Sequence, residues 1–249
     1  MSFWTSPRRK PLVIAHRGGA LLAAENSAAA FQAAAAVGAD AVETDVRQTA
    51  DGHLVCFHDD TLERLCGDPR AVAEIDLATL RQKIPSILTL REALSASRPL
   101  GVLLDVKLLD GVTLEAILRD LAGADIEPRI VLGLRSLDLI RVARRLDSRI
   151  PILSLIHTAD AIEEVGDAGA DWFRLWQADL TEARVSRVRR SEMHLAVMVG
   201  QPRNMPLEEY PQYPVGKVDA EGLLQIASFR PDAVMLDDPR LMAYWRLEI

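Results

Sequence analysis

The chain has 249 residues, of which 49% are hydrophobic, and a formal net charge of −7. This length fits one (β/α)8 barrel of about 250 residues or two small domains, and the apolar fraction is ample for a large core. An acidic chain lacks the basic surface that a general nucleic-acid or anionic-membrane binder needs. No apolar run approaches the roughly 18 residues of a membrane span. The two cysteines, Cys56 and Cys66, are spaced neither as a zinc knuckle nor as a redox pair and indicate buried or free thiols, so we expect a soluble cytoplasmic protein.

Short apolar runs bounded by glycine, proline or aspartate recur along the chain and predict buried strands. The predicted strands are residues 12–15, 41–46, 54–57, 101–106, 130–134, 151–156, 172–176, 194–199 and 233–236. The predicted helices are residues 28–37, 77–82, 90–96, 113–121, 137–146, 159–168, 181–190 and 220–228. Asn26 or Ser27 can cap the first of these helices, and Thr89 can cap the third.

The alternation of strands and helices predicts a parallel sheet, because parallel strands need a long crossover connection. Residues 54–57 instead fit a hairpin with the second strand, since an Asp51-Gly52 turn lies between them. The other eight strands predict a closed (β/α)8 barrel. The chain shows no interdomain linker, so residues 1–249 are expected to form one domain.

Seven polar side chains lie at or just beyond the ends of the early predicted strands. They are His16, Arg17, Glu43, Asp45, His58, Asp105 and Lys107. Because residues i and i+2 of a strand share a face, Glu43 and Asp45 project together. Two carboxylates about 4 Å apart repel by roughly 4 kcal/mol at an effective dielectric constant near 20, so we expect a cationic group between them. The chemistry of such barrels lies at the carboxyl ends of the strands, which predicts that the seven side chains converge.

The charges of these side chains indicate what the site can bind. Three carboxylates (Glu43, Asp45 and Asp105) against Arg17 and Lys107 leave a formal charge of −1, and one bound divalent cation changes it to +1. Carboxylate ligands favour Mg²⁺ or Ca²⁺ over zinc, and the resulting pocket suits a phosphodiester monoanion. Basic side chains can neutralise phosphate oxygens, and two histidines can serve as general acid and base. The residues alone predict metal-assisted phosphodiester cleavage.

An ordered series of motifs resembles the glycerophosphodiester phosphodiesterase family. The motifs are IAHRGG, AENS, VETDV, FHDD, LTLREAL, LLDVK and the late PDAVMLDDP. The resemblance covers residues 12–242 and is dense up to Lys107. It implies a (β/α)8 TIM barrel of the phospholipase-C-like phosphodiesterase type, and hydrolysis of small glycerophosphodiesters to an alcohol and glycerol 3-phosphate.

Carried over to matching positions, the resemblance implies a role for nine residues. It implies His16 and His58 as the acid–base pair, Glu43, Asp45 and Asp105 as ligands of one divalent cation, Arg17 and Lys107 as phosphate ligands, and Glu25 and Asn26 as supporting residues. Neither the preferred cation, the head group, the order of the two histidines nor the oligomeric state follows from it.

The sequence also departs from the family pattern. Asp105 stands where the family usually has Glu, and Ala24 where it usually has Pro; the segment at 59–88 is short, and the strand-seven pattern is replaced by Val197-Met198-Val199-Gly200. The Asp105–Lys107 spacing resembles sphingomyelinase D barrels, which release a cyclic phosphate. That outcome, and a non-catalytic barrel that binds a phosphorylated ligand, stay open as alternatives.

Several other polar and aromatic residues are expected to have structural roles. Asp237 and Asp238 precede Pro239 and are expected to cap the last helical segment. Trp172 and Trp176 are expected in the core or in a pocket wall, and His157 is not expected to be catalytic.

Overall fold

The computed structural model describes residues 2–108, 111–121, 129–202 and 214–243. The strands are β1 (Leu12–Ala15), β2 (Ala41–Gln48), β3 (Leu54–Cys56), β4 (Thr61–Leu62), β5 (Asp68–Ala71), β6 (Gly101–Val106), β7 (Ile130–Leu134), β8 (Ile152–Ser154), β9 (Trp172–Trp176), β10 (His194–Met198) and β11 (Ala233–Leu236). All except β3, β4 and β5 run parallel in one sheet that closes on itself. The predicted (β/α)8 barrel is confirmed.

Closure of the barrel depends on β1, which pairs in parallel with both β2 and β11. Ile14 is opposite Ala41 on one side and opposite Met235 on the other. The extra strand β3 is antiparallel to the end of β2, with Val46 opposite Cys56, as the sequence predicts for this hairpin.

Helices follow most strands, and several begin after a residue whose side chain accepts a hydrogen bond from a free backbone N–H group. The helices are α1 (Ala28–Ala36), α2 (Glu63–Cys66), α3 (Leu77–Lys83), α4 (Leu90–Ala96), α5 (Gly111–Leu121), α6 (Leu137–Leu146), α7 (Ile162–Ala168), α8 (Glu182–Arg190) and α9 (Ala220–Ser228). Thr89 caps α4 together with Glu92, as predicted, and Ser27 rather than Asn26 caps α1. Each cap stabilises its helix by about 1 kcal/mol. Among the described residues, no helix has the length and apolarity to cross a bilayer.

The segment between β3 and α4 contains more structure than the sequence indicated. Besides α3, which was predicted, it forms the two-stranded antiparallel sheet β4–β5 and the single turn α2. A small apolar cluster that includes Phe57, Leu62 and Leu80 packs beneath these elements. The segment therefore has a core of its own beside the barrel.

Alternate strand residues fill the barrel interior and leave the other face for the helices. Ile14, Leu103, Val131 and Trp172 belong to the inner cluster, which also includes Trp4. The indole of Trp4 is fully buried and its Nε1 donates a hydrogen bond to the carbonyl oxygen of Arg129 at 2.7 Å. The N-terminal segment therefore closes the end of the barrel where the strands begin.

Replacing Trp4 with Ala should lower the free energy of unfolding by about 3–5 kcal/mol, because it opens a large cavity at this end of the barrel. Leu224→Ala is the control, since Leu224 is 62% exposed on α9, and its effect should stay within about 0.5 kcal/mol. Denaturant unfolding followed by circular dichroism measures both. A loss below about 1 kcal/mol in Trp4→Ala would show that Trp4 does not close the barrel.

Candidate active site

A cavity of about 630 Å³ opens where the barrel strands end. Six of the predicted site residues line it: His16, Arg17, Glu43, His58, Asp105 and Lys107. Asp45 is fully buried, and its carboxylate forms an ion pair with the ammonium group of Lys107. The convergence of residues from β1, β2, β6 and the loop after β3 therefore agrees with the expectation from the sequence.

Strand register explains why the acidic residues meet. In the pairing of β2 with β6, Asp45 is directly opposite Asp105, and Glu43 is opposite Leu103. The inner residue Ala41 precedes Glu43 by two positions, so Glu43 and Asp45 continue the inward face of β2. Leu103 and Asp105 do the same on β6, which brings both strands' carboxylates into the barrel.

The three carboxylates are close enough to share one ion. Glu43, Asp45 and Asp105 each offer an oxygen that lies within 4.8 Å of the oxygens of the other two, and all three residues are buried. Mg²⁺ and Ca²⁺ bind carboxylate oxygens at about 2.0–2.6 Å, so ligands of one ion can be this far apart. The donor set fits a hard divalent cation.

The ammonium group of Lys107 lies between two of these carboxylates. Its Nζ is 2.8 Å from Asp45 Oδ1 and 2.5 Å from Asp105 Oδ2. The cation that the sequence predicts between Glu43 and Asp45 stays a prediction, and Lys107 itself lies between Asp45 and Asp105. The reason is that Lys107 follows Asp105 on the same face, while its backbone N–H donates to the carbonyl oxygen of Val46 at 3.1 Å and keeps it beside β2.

The carboxyl groups differ in their protonation. Burial and the charge of Asp45 raise the pKa of Glu43 to about 7. Burial also opposes ionisation of Asp45 and Asp105, but the neighbouring Lys107 ammonium outweighs it and lowers both pKa values. Burial opposes the charged form of Lys107 as well, and the two aspartates outweigh it and raise the pKa of Lys107. Asp45, Lys107 and Asp105 thus stay charged together, while Glu43 titrates near neutrality.

Arg17 lies in a tight turn directly after β1. Its φ of 50° is in the left-handed region, which few residues other than glycine adopt. Two hydrogen bonds hold this conformation: the Arg17 N–H donates to Glu43 Oε2 at 2.7 Å, and the Arg17 carbonyl accepts from the Asn26 N–H at 2.9 Å. Gly18 follows with φ of 79°, and a Cβ there would lie 2.6 Å from the Phe31 ring. The HRGG sequence therefore forms the turn that places Arg17 at the cavity.

Asn26 orients the carboxylate of Asp45 from the turn before α1. Its Nδ2 donates to Asp45 Oδ2 at 2.9 Å, and its Oδ1 accepts from the Thr44 hydroxyl at 2.7 Å. Both partners are buried, so each hydrogen bond replaces one that water would otherwise make.

Glu25 connects Arg17 to the loop that carries His58. Its carboxylate accepts from Arg17 Nη1 at 3.1 Å and pairs with Arg64. Arg64 also pairs with Asp59, which is next to His58 in sequence. Burial opposes the ionised form of Glu25, but the two arginines outweigh it and lower its pKa. The Glu25 carboxylate thus holds two guanidinium groups at the edge of the cavity.

Each of the two predicted catalytic histidines has a carboxylate at Nδ1. His16 Nδ1 is 2.6 Å from Asp237 Oδ1, and His58 Nδ1 is 2.7 Å from Asp59 Oδ1. A carboxylate at this position holds a proton on Nδ1 and leaves Nε2 to exchange protons. Burial opposes the charged form of His16, but the hydrogen bond to Asp237 outweighs it and raises its pKa. The pKa of His58 is lowered because burial outweighs the attraction of Asp45.

Comparison with protein families gives a match to the glycerophosphoryl diester phosphodiesterase family over residues 16–227. The chain belongs to this family. The match includes every residue that the sequence motifs placed in the site.

Named relatives align with part of this family member. It is 44% identical over 73 residues to a glycerophosphodiester phosphodiesterase of Caldanaerobacter subterraneus, which is 29% of this chain and 30% of the relative. It is 35% identical over 116 residues to glycerophosphodiester phosphodiesterase 1 of Bos taurus, which is 41% of this chain and 35% of the relative. The aligned region therefore spans about a third of the length of these relatives.

Solved structures of the family share the fold across nearly the whole chain. A glycerophosphodiester phosphodiesterase from Thermotoga maritima superposes with a TM-score of 0.76 at 22% identity, covering 96% of this chain and 100% of that one. An Oleispira antarctica phosphodiesterase, solved in complex with sn-glycerol-3-phosphate, superposes with a TM-score of 0.77 at 23% identity, covering 94% and 96%. At this identity the likeness establishes the barrel fold.

Three charged residues of the cavity region were not identified from the sequence. Asp237 was expected to cap a helical segment, which is wrong, since it bonds His16; Asp238 does cap the turn at Pro239–Leu241. Arg135 was overlooked, although its Nε and Nη2 bond both carboxylate oxygens of Asp105 at 2.9 and 2.5 Å. Arg174 was overlooked as well and lines the cavity from β9.

The signal for these residues was the two-residue period of the barrel interior. Gly133 precedes Arg135 by two positions, Met235 precedes Asp237, and Trp172 precedes Arg174. Met235 and Trp172 belong to the inner cluster, so the next alternate residue points into the cavity. Trp176 also lines the cavity, consistent with a pocket wall.

Asp237→Asn should lower the pKa of His16 relative to the unmodified protein, because it removes a charged hydrogen-bond partner of the imidazole. Nuclear magnetic resonance titration of the histidine ring protons in the cation-free protein measures this value. Asp238→Asn is the matched control and should leave it unchanged. An unaltered His16 titration in Asp237→Asn would contradict the assigned contact.

Proposed function

We propose that the protein hydrolyses small glycerophosphodiesters to an alcohol and glycerol 3-phosphate. Family membership supports this reaction, and the proposal rests on the arrangement of the side chains at the site. Seven side chains that the family motifs single out, from His16 to Lys107 along the chain, meet at one cavity. The Oleispira antarctica relative bound to sn-glycerol-3-phosphate is consistent with that product.

Glu43, Asp45 and Asp105 are the residues that would hold one divalent cation, Mg²⁺ or Ca²⁺. Their mutual spacing and their all-oxygen donor set support this assignment. When bound, such a cation supplies positive charge next to the phosphate oxygens and offsets the charge that develops during cleavage.

Arg17 and Lys107 are proposed to bind the phosphate. Arg17 is 6% exposed, and its Nε has no hydrogen-bond partner among the described residues, although it is buried. A guanidinium group held this way retains donors for an incoming anion. Lys107 keeps its positive charge because of the aspartates beside it, and its ammonium group lines the same cavity.

The two histidines are proposed to act on opposite sides of the phosphorus. The raised pKa of His16 favours its protonated form, which suits donation of a proton from Nε2 to the leaving alcohol oxygen. The lowered pKa of His58 favours its neutral form, which suits removal of a proton from the attacking oxygen. Asp237 and Asp59 hold the rings through Nδ1 and stabilise the charged form of each.

The attacking oxygen belongs either to water or to the glycerol 2-hydroxyl group. Water gives glycerol 3-phosphate directly, whereas the hydroxyl group gives a cyclic phosphate first. The contact of Lys107 with Asp105 keeps open the alternative in which the cyclic phosphate is the final product. Phosphorus NMR of the products distinguishes the two: glycerol 3-phosphate supports the proposal, and a cyclic phosphate that persists supports the alternative.

His16→Ala and His58→Ala should each lower kcat for glycerophosphodiester hydrolysis by at least about 100-fold, the contribution of one acid or base. His53→Ala is the control, since its side chain is 54% exposed in the turn between β2 and β3. Release of the alcohol is followed in the presence and absence of a chelator. Turnover close to that of the unmodified protein in either site variant would refute the assignment.

Adding Mg²⁺ or Ca²⁺ at about 100 times its Kd should stabilise the protein by about 2.7 kcal/mol, because the cation binds only the folded chain. Differential scanning calorimetry of the chelator-treated protein measures this as a rise in Tm. The rise should be absent in Asp45→Asn and retained in Asp138→Asn, whose side chain is 93% exposed. An equal rise in both variants would place the cation elsewhere.

A further inference from the structure

The cavity is basic on the side formed by β7, β8 and β9. Arg135 follows β7, His157 follows β8, and Arg174 lies within β9. All three line the cavity that also contains Lys107 and Asp105. The proposed reaction of the phosphodiester uses none of these three side chains, so their shared position needs another explanation.

Arg174 is a buried charge without an acidic partner. It is 4% exposed, and its Nη2 donates to the carbonyl oxygens of Leu155 and Ile156 at 3.1 and 3.3 Å. Among the described residues, no carboxylate lies within ion-pair distance of its guanidinium, and Nη2 is the nitrogen that bonds protein acceptors. Asp179, which attracts it through space, pairs with Arg184 at 3.7 Å. Burial of an arginine in this state is costly unless an anion completes the site.

The neighbouring groups increase the positive potential at Arg174. Burial and the nearby charge of Arg135 lower the pKa of Arg174 to about 10, which leaves it protonated at neutral pH. His157 Nε2 is 3.4 Å from Arg135 Nη1, and burial and the two arginines lower the pKa of His157. Asp105 is the one carboxylate that bonds Arg135 among the described residues, and it is shared with Lys107. Arg174 therefore has a positive charge that no ion pair among the described residues neutralises.

The surroundings of Trp176 indicate which charge on the head group the cavity favours. A quaternary ammonium group binds well over an open aromatic face. In this cavity the guanidinium of Arg174 already lies over the Trp176 ring, 4.8 Å from its centroid. A cationic head group at this ring would lie near a guanidinium of the same charge, so we expect choline and ethanolamine diesters to bind less well than anionic ones.

We propose that Arg174, assisted by Arg135, forms a subsite for an anionic group on the alcohol part of the substrate, either a phosphomonoester or a carboxylate. This inference rests on the proposed function, because it needs the phosphodiester to bind at Arg17 and Lys107 in the same cavity. Arg174 then acts as a specificity-determining residue. With this residue in place, the protein prefers glycerophosphodiesters whose alcohol is anionic over those whose alcohol is neutral or cationic.

The test compares kcat/KM of the 249-residue protein, in the presence of a saturating divalent cation, for four diesters of glycerol 3-phosphate. Their alcohols are glycerol phosphate, glycerate, glycerol and choline. The kcat/KM for each diester with an anionic alcohol should exceed that for the glycerol diester by about tenfold or more, as expected for one charged hydrogen bond. The choline diester should have the lowest kcat/KM of the four. Equal kcat/KM values for all four diesters would refute the subsite but not the proposed function. No hydrolysis of any diester would overturn the proposed function itself.

Arg174→Gln should reduce kcat/KM for the preferred anionic diester by about tenfold more than for the glycerol diester, chiefly through KM. Arg174→Lys keeps the charge and should recover part of this preference. Arg141→Gln is the matched control, because Arg141 pairs with Asp138 at 3.2 Å on the outside of α6, and its preference should stay unchanged. An unchanged preference in a folded Arg174→Gln overturns the assignment. If that variant does not fold, Arg174→Lys and the four-substrate comparison decide.

Discussion

The parallel pairing of β2 with β6 sets Asp45 opposite Asp105, and the site depends on this register. It forces carboxylates together inside the barrel, where desolvation and mutual repulsion would otherwise protonate them. The Lys107 ammonium, bonded to both, keeps them ionised. A register slip of one residue along β6 would turn Asp105 and Lys107 toward the helices and leave Asp45 buried without a cation.

The surrounding residues hold this charged group in place from outside the sheet. Asn26 bonds Asp45 from the turn before α1, and the strained turn at Arg17 is fixed by its bond to Glu43. These contacts join the segment after β1 to the acidic strand β2. The groups proposed to react are thus positioned by strands and short turns, while His58 lies in the loop beyond β3 and lines the cavity.

Most of the barrel could be predicted from sequence, because its strands are apolar runs that alternate with helical segments. The two-residue strand β4 and the single turn α2 could not, since elements this short show no periodicity. The residues that reach the cavity from the first three barrel strands could be singled out because they form dense motifs. Asp237 was misassigned because its partner, His16, is 221 positions away, and only barrel closure brings them together. Arg174 was missed because a lone arginine between two tryptophans gives no motif.

Carboxylates from β2 and β6 are proposed to share one hard cation beside His16. A crystal structure grown with Mn²⁺ in place of Mg²⁺ tests this proposal through the anomalous scattering of the metal. We expect a peak within about 2.0–2.6 Å of oxygens from Glu43, Asp45 and Asp105. A map with no peak at these three residues, at saturating Mn²⁺, would contradict the account.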